Sequence, residues 1–290
     1  ISNVLIGGLA GDALTDADQN VAVGKNAIGS DTLGSKTTAV GHGALAVQNF
    51  TTATDTFNTA VGYHAGVAVT TGVKNVLVGS IAGDALTAGS QNVSIGHQSL
   101  STDTLGSRSV AIGQNTLEVQ NFTTATDTYN VAVGYDAGTK VTTGTNNTLI
   151  GGLAGDALTS SNNNIAIGYQ ALSSDTQGTK TIAIGIDALL NQNHTTNTDT
   201  YNVAMGYHAG RDITTGKESI FIGGLVGDAY TTGSFNVGMG YIALTSDTKG
   251  QYNTALGYAA LATQNFTTST NSYNTAVGAN AGISVTTGTS

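Results

Sequence analysis

The run Asn130-Val131-Ala132-Val133-Gly134 decides the fold, because the phrase it spells occurs sixteen times in a chain of 290 residues. Each copy reads polar, β-branched, usually small, large aliphatic, glycine. The closing glycines begin Gly7, Gly24, Gly41, Gly62 and Gly79, at spacings of 17, 17, 21 and 17 that then recur in the same order. Four phrases make a unit of 72 residues, and four units (1–72, 73–144, 145–216 and 217–288) leave two residues over. One short strand and one turn per copy is the signature of a solenoid whose every repeat is a coil stacked on its neighbours. The predicted fold class is therefore all-β: one parallel β-solenoid (β-roll) shaft over 1–290, with sixteen coils of 17 or 21 residues.

Column by column the pattern suggests a core. The residue before the glycine is Val, Ile, Leu or Met in every copy, and the residue two earlier is Val, Ile or Thr. Those two share one face of a strand, since side chains alternate with period two, and that face is expected to be buried. Three residues after the glycine stands a small residue (Ala27, Ala65, Ala137, Ala209), then Gly or an aliphatic such as Leu45, Leu117, Leu189 or Leu261. This strip is read as the opposite wall, and the glycine between the two supplies φ > 0 at the corner. On this assignment the middle residue of the phrase points outward. It is large once per unit, at Leu5, Leu77, Leu149 and Phe221. A recurring outward apolar residue needs a cover, so this column is the candidate subunit interface.

Helices are disfavoured by the abundance of β-branched residues, Thr and Gly and by the lack of a three-to-four apolar spacing. The absence of Pro suits a backbone in which nearly every N–H is bonded to the next coil. Asn opens twelve of the sixteen phrases. Two readings stand open, a stacked Asn ladder and plain turn chemistry, and neither is functional.

Composition excludes several functions. Only 9% of residues are charged, against about 25% in an ordinary domain. With 9 Lys+Arg against 18 Asp+Glu, the net charge of −9 leaves no basic stripe for nucleic acid or an anionic membrane. There is no Cys, hence no disulfide, thiolate nucleophile or zinc knuckle. No apolar run approaches a membrane span, and Ile1 opens into patterned sequence without a signal peptide, as expected of an internal or mature segment. Thr289 and Ser290 fall in phase with Ile1 and Ser2, so the chain reads as a window on a longer shaft.

The phrase also carries a resemblance. Ser109-Val110-Ala111-Ile112-Gly113, and nearly so Asn164-Ile165-Ala166-Ile167-Gly168, resemble the S-V-A-I-G repeat of the YadA-like head of trimeric autotransporter adhesins. Similar repeats occur in bacteriophage tail fibres. The resemblance covers all sixteen coils, although these coils are longer and no stalk, neck or membrane anchor appears. It implies a left-handed β-roll, a homotrimer, adhesion, and a place on a cell or virion surface or elsewhere outside the cell. Hexapeptide acyltransferase helices do not fit, having three aliphatic-led turns per coil, and neither does the calcium-binding nonapeptide, since Gly151-Gly152-Leu153-Ala154-Gly155-Asp156 recurs only every 72 residues.

Candidate chemistry is sparse. The Asp columns (Asp12, Asp84, Asp156, Asp228; Asp31, Asp103, Asp175, Asp247; Asp55, Asp127, Asp199) recur once per unit, roughly 19 Å apart at four coils per unit, too far to pair within a column for glycoside hydrolysis. Turn capping accounts for them. His42, His64, His97, His194 and His208 show no metal-ligand spacing and read as solvent-facing. The longer third coil of each unit must bulge into a knob, opened by Phe50, Phe122, His194 or Phe266 and closed by Phe57, Tyr129, Tyr201 or Tyr273. These aromatics are candidates for ligand or lateral contacts, or for folding back over the widened coil. The expected function is a non-enzymatic structural or adhesive fibre, without metal or cofactor. Its partners are its own copies, as a homotrimer or a head-to-tail filament, with surface glycans or a host receptor as further candidates. The alternative is an ice- or carbohydrate-lattice-binding module, weakened because Thr-Thr-Gly occurs in one coil of four.

Overall fold

The computed structural model describes residues 2–289, so Ile1 and Ser290, the in-phase ends, lie outside the described residues. It is an all-β, sixteen-turn parallel β-solenoid, without a helix among the described residues. Contacts divide it into two compact units, Ile1–Asn146 and Asn147–Ser290. Each unit holds eight coils, and each coil contributes one three-residue strand, such as Val21–Val23, Thr38–Val40 and Thr59–Val61. Neighbouring strands pair in parallel with equivalent phrase positions in register: Val21 with Thr38, Ala22 with Ala39, Val23 with Val40. The third coil of each 72-residue repeat adds a two-residue pairing, for example Gly34–Ser35 with Thr54–Asp55, which ties the long coil to the one before it.

Two sequence features find their reason in the stack. The ladder consumes backbone donors at each rung (Val21 N to Thr37 O, 2.8 Å; Gly41 N to Val23 O, 2.7 Å), so a Pro would break it. The phrase glycine is required twice over. Gly24 has φ +130°, and a Cβ there would lie 2.5 Å from the carbonyl oxygen of Gly41 in the next coil.

The core is the other face of the strand. In Val21–Val23 the middle residue is buried and its neighbours are half-exposed, and the same pattern recurs in Val110–Ile112 and Ile165–Ile167. Ala22, Ala111, Leu77, Leu149 and Phe221 are wholly inaccessible, so Leu77, Leu149 and Phe221 are core residues rather than an outward interface column, while Leu5 in the first coil remains 43% exposed. The physical reason is volume. The interior is one side chain deep, and Ala27 and Ile28 already occupy the opposite wall, leaving room for one small residue per strand and not for two β-branched ones. Where the middle residue is large, the opposite wall carries glycine. A Cβ on Gly11 would sit 2.7 Å from Leu5, on Gly83 or Gly155 2.8 Å from Leu77 or Leu149, and on Gly227 2.5 Å from Phe221.

The Asn column combines both of its readings. Asn20 Oδ1 accepts from Thr37 N in the next coil at 2.8 Å, while its Nδ2 donates to Gly34 O, fourteen residues on in its own coil, at 2.9 Å. The ladder is real, but its rungs run from side chain to backbone.

Candidate functional site

The knob aromatics divide into two sets. Phe50, Phe122, His194 and Phe266 fold back and are 6–7% exposed, whereas Phe57, Tyr129, Tyr201 and Tyr273 stand 50–52% exposed. In three repeats the exposed ring lies under a cation at the equivalent position of the preceding coil, 21 residues earlier: Lys36 Nζ is 5.3 Å from the Phe57 centroid, Arg108 5.6 Å from Tyr129, and Lys180 5.1 Å from Tyr201. The same cations pair with Asp55, Asp127 and Asp199. Lys180 holds the Asp199 carboxyl below the usual carboxylate range. The fourth repeat has Tyr252 at the cation's place, stacked on Tyr273 at 5.1 Å and on Phe235 at 4.8 Å. The cations were not singled out in the sequence, because a lone Lys or Arg in a Thr-rich loop carries no pattern until the stack brings it over the ring. The knob is thus a self-contained aromatic–cation–carboxylate surface, and no cavity opens among the described residues.

The carboxylates most like catalytic groups are structural. Asp31 is fully buried. Its Oδ1 accepts from Gly34 N and Phe50 N, both at 3.1 Å, and its Oδ2 from Gln48 Nε2 at 2.6 Å. Gln48 passes the network on to Asn58 Nδ2 at 2.8 Å. The same set recurs around Asp103, Asp175 and Asp247. Turn capping was thus half of the role: the carboxylate also fixes the first residue of each knob. Where His194 replaces the knob phenylalanine, its Nδ1 lies 3.8 Å from Asp175 Oδ2, and neither ring nitrogen has a hydrogen-bond partner. His194 is therefore buried, contrary to the solvent-facing expectation, because it fills a phenylalanine pocket. His208 is half-buried as well, with Nε2 3.0 Å from Asp187 Oδ2 and its ring stacked 3.8 Å from that of Tyr207. His42 and His97 are exposed. No group of three or more His, Asp or Glu among the described residues is placed to hold a metal ion.

Two surfaces emerge that the sequence did not announce. Register reveals a Thr column at Thr15, Thr32, Thr70, Thr87 and Thr104, whose hydroxyls donate to the chain one coil on, as Thr87 Oγ1 does to Thr104 O at 3.0 Å. Thr therefore recurs on most coils rather than one in four, with its donor spent inside the stack. The second surface is the outer sheet face, formed by the first and third strand residues. Val61, Ile150, Ile220, Met205 and Met239 are each 37–41% exposed there. No family model, no curated protein and no solved structure matches the chain.

Proposed function

We propose that the chain is a non-enzymatic structural or adhesive fibre segment, built for the outside of a cell or a virion, whose copies associate side by side through the outer sheet face. The observation that carries this reading is the pair of aliphatic columns on that face, Val/Ile/Thr at the first strand position and Val/Ile/Leu/Met at the third. In each unit eight strands at about 4.8 Å and three residues at about 3.3 Å give a flat apolar strip on the order of 400 Å². A strip of that size matches the largest apolar patch that soluble chains ordinarily expose, which is often a functional contact surface. Self-association, as a homotrimer with three parallel shafts, covers it without any new element. The tight, buried use of Asp31, Asp103, Asp175 and Asp247 supports a structural rather than a hydrolytic role for these carboxylates.

Sedimentation of the wild type and of a Val110→Lys, Ile112→Lys variant tests the proposal. Both substituted residues are half-exposed and flank the buried Ala111. The wild type is expected to sediment as an oligomer, and the variant to keep its β-sheet circular dichroism while dissociating. A wild-type monomer at micromolar concentration would overturn side-by-side association.

A further inference from the structure

The knobs carry a second repeated pattern. Each one begins with Asn-x-Thr: Asn49-Phe50-Thr51, Asn121-Phe122-Thr123, Asn193-His194-Thr195 and Asn265-Phe266-Thr267. We propose that these four asparagines are acceptor sites for N-linked glycosylation, giving the shaft one glycan per 72-residue repeat. Within a unit this spacing is roughly 19 Å, four coils at about 4.8 Å.

The local structure presents the acceptor in the form the chemistry needs. The central residue is the buried anchor, 6–7% exposed, and its backbone N–H is held by the buried Asp, as Phe50 N is by Asp31 Oδ1. Alternation along an extended chain then turns the residues on either side outward. Thr51, Thr123, Thr195 and Thr267 are all exposed, as are Asn49, Asn193 and Asn265, with Asn121 half-exposed. Each Asn Oδ1 is the second, more distant acceptor of a Thr hydroxyl of the preceding coil, Thr32, Thr104 and Thr176 at 3.2 Å and Thr248 at 3.4 Å, whose nearer acceptor is the carbonyl of the residue after the Asn, at 2.8–2.9 Å. No hydrogen bond of Nδ2 is found for any of the four. The amide nitrogen is thus left without a protein partner on a residue that solvent reaches.

Two other Asn-x-Ser/Thr strings lack this arrangement. In Asn92-Val93-Ser94, Asn92 is fully buried, with Nδ2 bound to Gly106 O and Oδ1 to Ser109 N, both at 2.9 Å. Asn146 donates its Nδ2 to Thr145 Oγ1 at 3.2 Å.

The transfer uses a lipid-diphosphate-linked oligosaccharide and an oligosaccharyltransferase. Asn Nδ2 forms a bond to the anomeric carbon of the first sugar, the bond from that carbon to the diphosphate oxygen breaks, the lipid diphosphate leaves, and the amide proton passes to a carboxylate of the transferase. No oxidant or reductant is consumed.

The test incubates the folded full chain with a purified single-subunit oligosaccharyltransferase and its lipid-linked donor, followed by glycopeptide mass spectrometry. A folded acceptor protein of known reactivity serves as the control. Sugar is expected at Asn49, Asn121, Asn193 and Asn265 and absent from Asn92. Asn49→Gln and, separately, Thr51→Ala should each remove one of the four increments, while Ser94→Ala removes none. If the control is modified and the four knob sites are bare, or if Thr51→Ala leaves Asn49 modified, the assignment is overturned.

Discussion

A Cβ built on Gly238 would lie 3.1 Å from Cδ1 of Phe221 and 2.7 Å from Cγ1 of Val226, so the largest middle residue of any strand is accommodated by a glycine in the next coil. Gly238 is itself the middle residue of its strand, where other strands have Ala. A large core side chain is thus matched by glycine in the neighbouring coil as well as on the opposite wall of its own. Gly238→Ala should therefore cost about 1–3 kcal/mol by overpacking. Phe221→Leu in the same chain should recover much of that loss, which a double-mutant cycle by thermal unfolding would measure. Additive losses would show that the two sites do not share space.

Tyr230, the largest fully buried residue, donates its hydroxyl to Asp247 Oδ2 at 2.9 Å. Tyr230→Phe leaves that carboxylate one donor short and should lose about 1.5–3 kcal/mol, the usual worth of a hydrogen bond to a charged group. Burial, and then the neighbouring Asp247 charge, push the phenol well above its ordinary pKa of 10.0. The folded state therefore holds this proton more tightly than the unfolded chain. Stability from this group is complete below the ordinary tyrosine range and is lost as pH rises above it. Denaturant midpoints above pH 10 should fall more steeply for the wild type than for Tyr230→Phe.

Asp103 and Asp175 stand at equivalent places with opposite shifts. Burial raises Asp103. Burial also pushes Asp175 upward, but the His194 side chain, Gln192 and the backbone N–H groups of His194 and Gly178 outweigh it and bring the group below the usual range. His194 Nδ1 stands 3.8 Å from Asp175 Oδ2, beyond hydrogen-bond distance. Asp175 stabilises the fold above the ordinary carboxylate range and ceases to as pH falls through its lowered pKa. Asp103 does the reverse, favouring the fold most when protonated and losing that contribution as pH rises. Carboxyl NMR titration should place the Asp175 midpoint below that of Asp103, and His194→Phe should move it upward. An unchanged midpoint in the variant would remove His194 as the cause.

Ala111 and Ile112 are adjacent, yet one is inside and the other half outside. Ala111→Asp puts a charge into a core one side chain deep, with no partner, and should unfold the local coils. Ile112→Asp should change unfolding midpoints far less and act on self-association instead. Circular dichroism and sedimentation of the two variants separate the effects, and equal destabilisation would contradict the inward placement of the middle residue.

Gly24→Ala meets both a φ of +130° and the Gly41 carbonyl oxygen. It should cost several times the ~1 kcal/mol of an ordinary glycine exchange. Gly8→Ala, where a Cβ meets nothing within 4 Å, should be close to neutral.

The repeat itself was enough to determine coil number, coil length, strand direction and the obligatory glycines, because a solenoid is quasi-one-dimensional and its sequence period is its structural period. The same periodicity showed that alternate strand residues lie on opposite faces. It did not show which face is inside. An alternating strand reads identically from either side, and the greater apolarity of the Val/Ile columns favoured the wrong one. Only the stack decided, since the opposite wall at Ala27, Ile28 and Gly83 leaves depth for Ala22 or Leu77 and not for two β-branched side chains. The knob aromatics divided for a similar reason. Phe50 and Phe57 are equally apolar in sequence, but the buried Asp31 holds the backbone of the first, while the second takes φ +51° and turns to meet Lys36 at the equivalent position of the coil before.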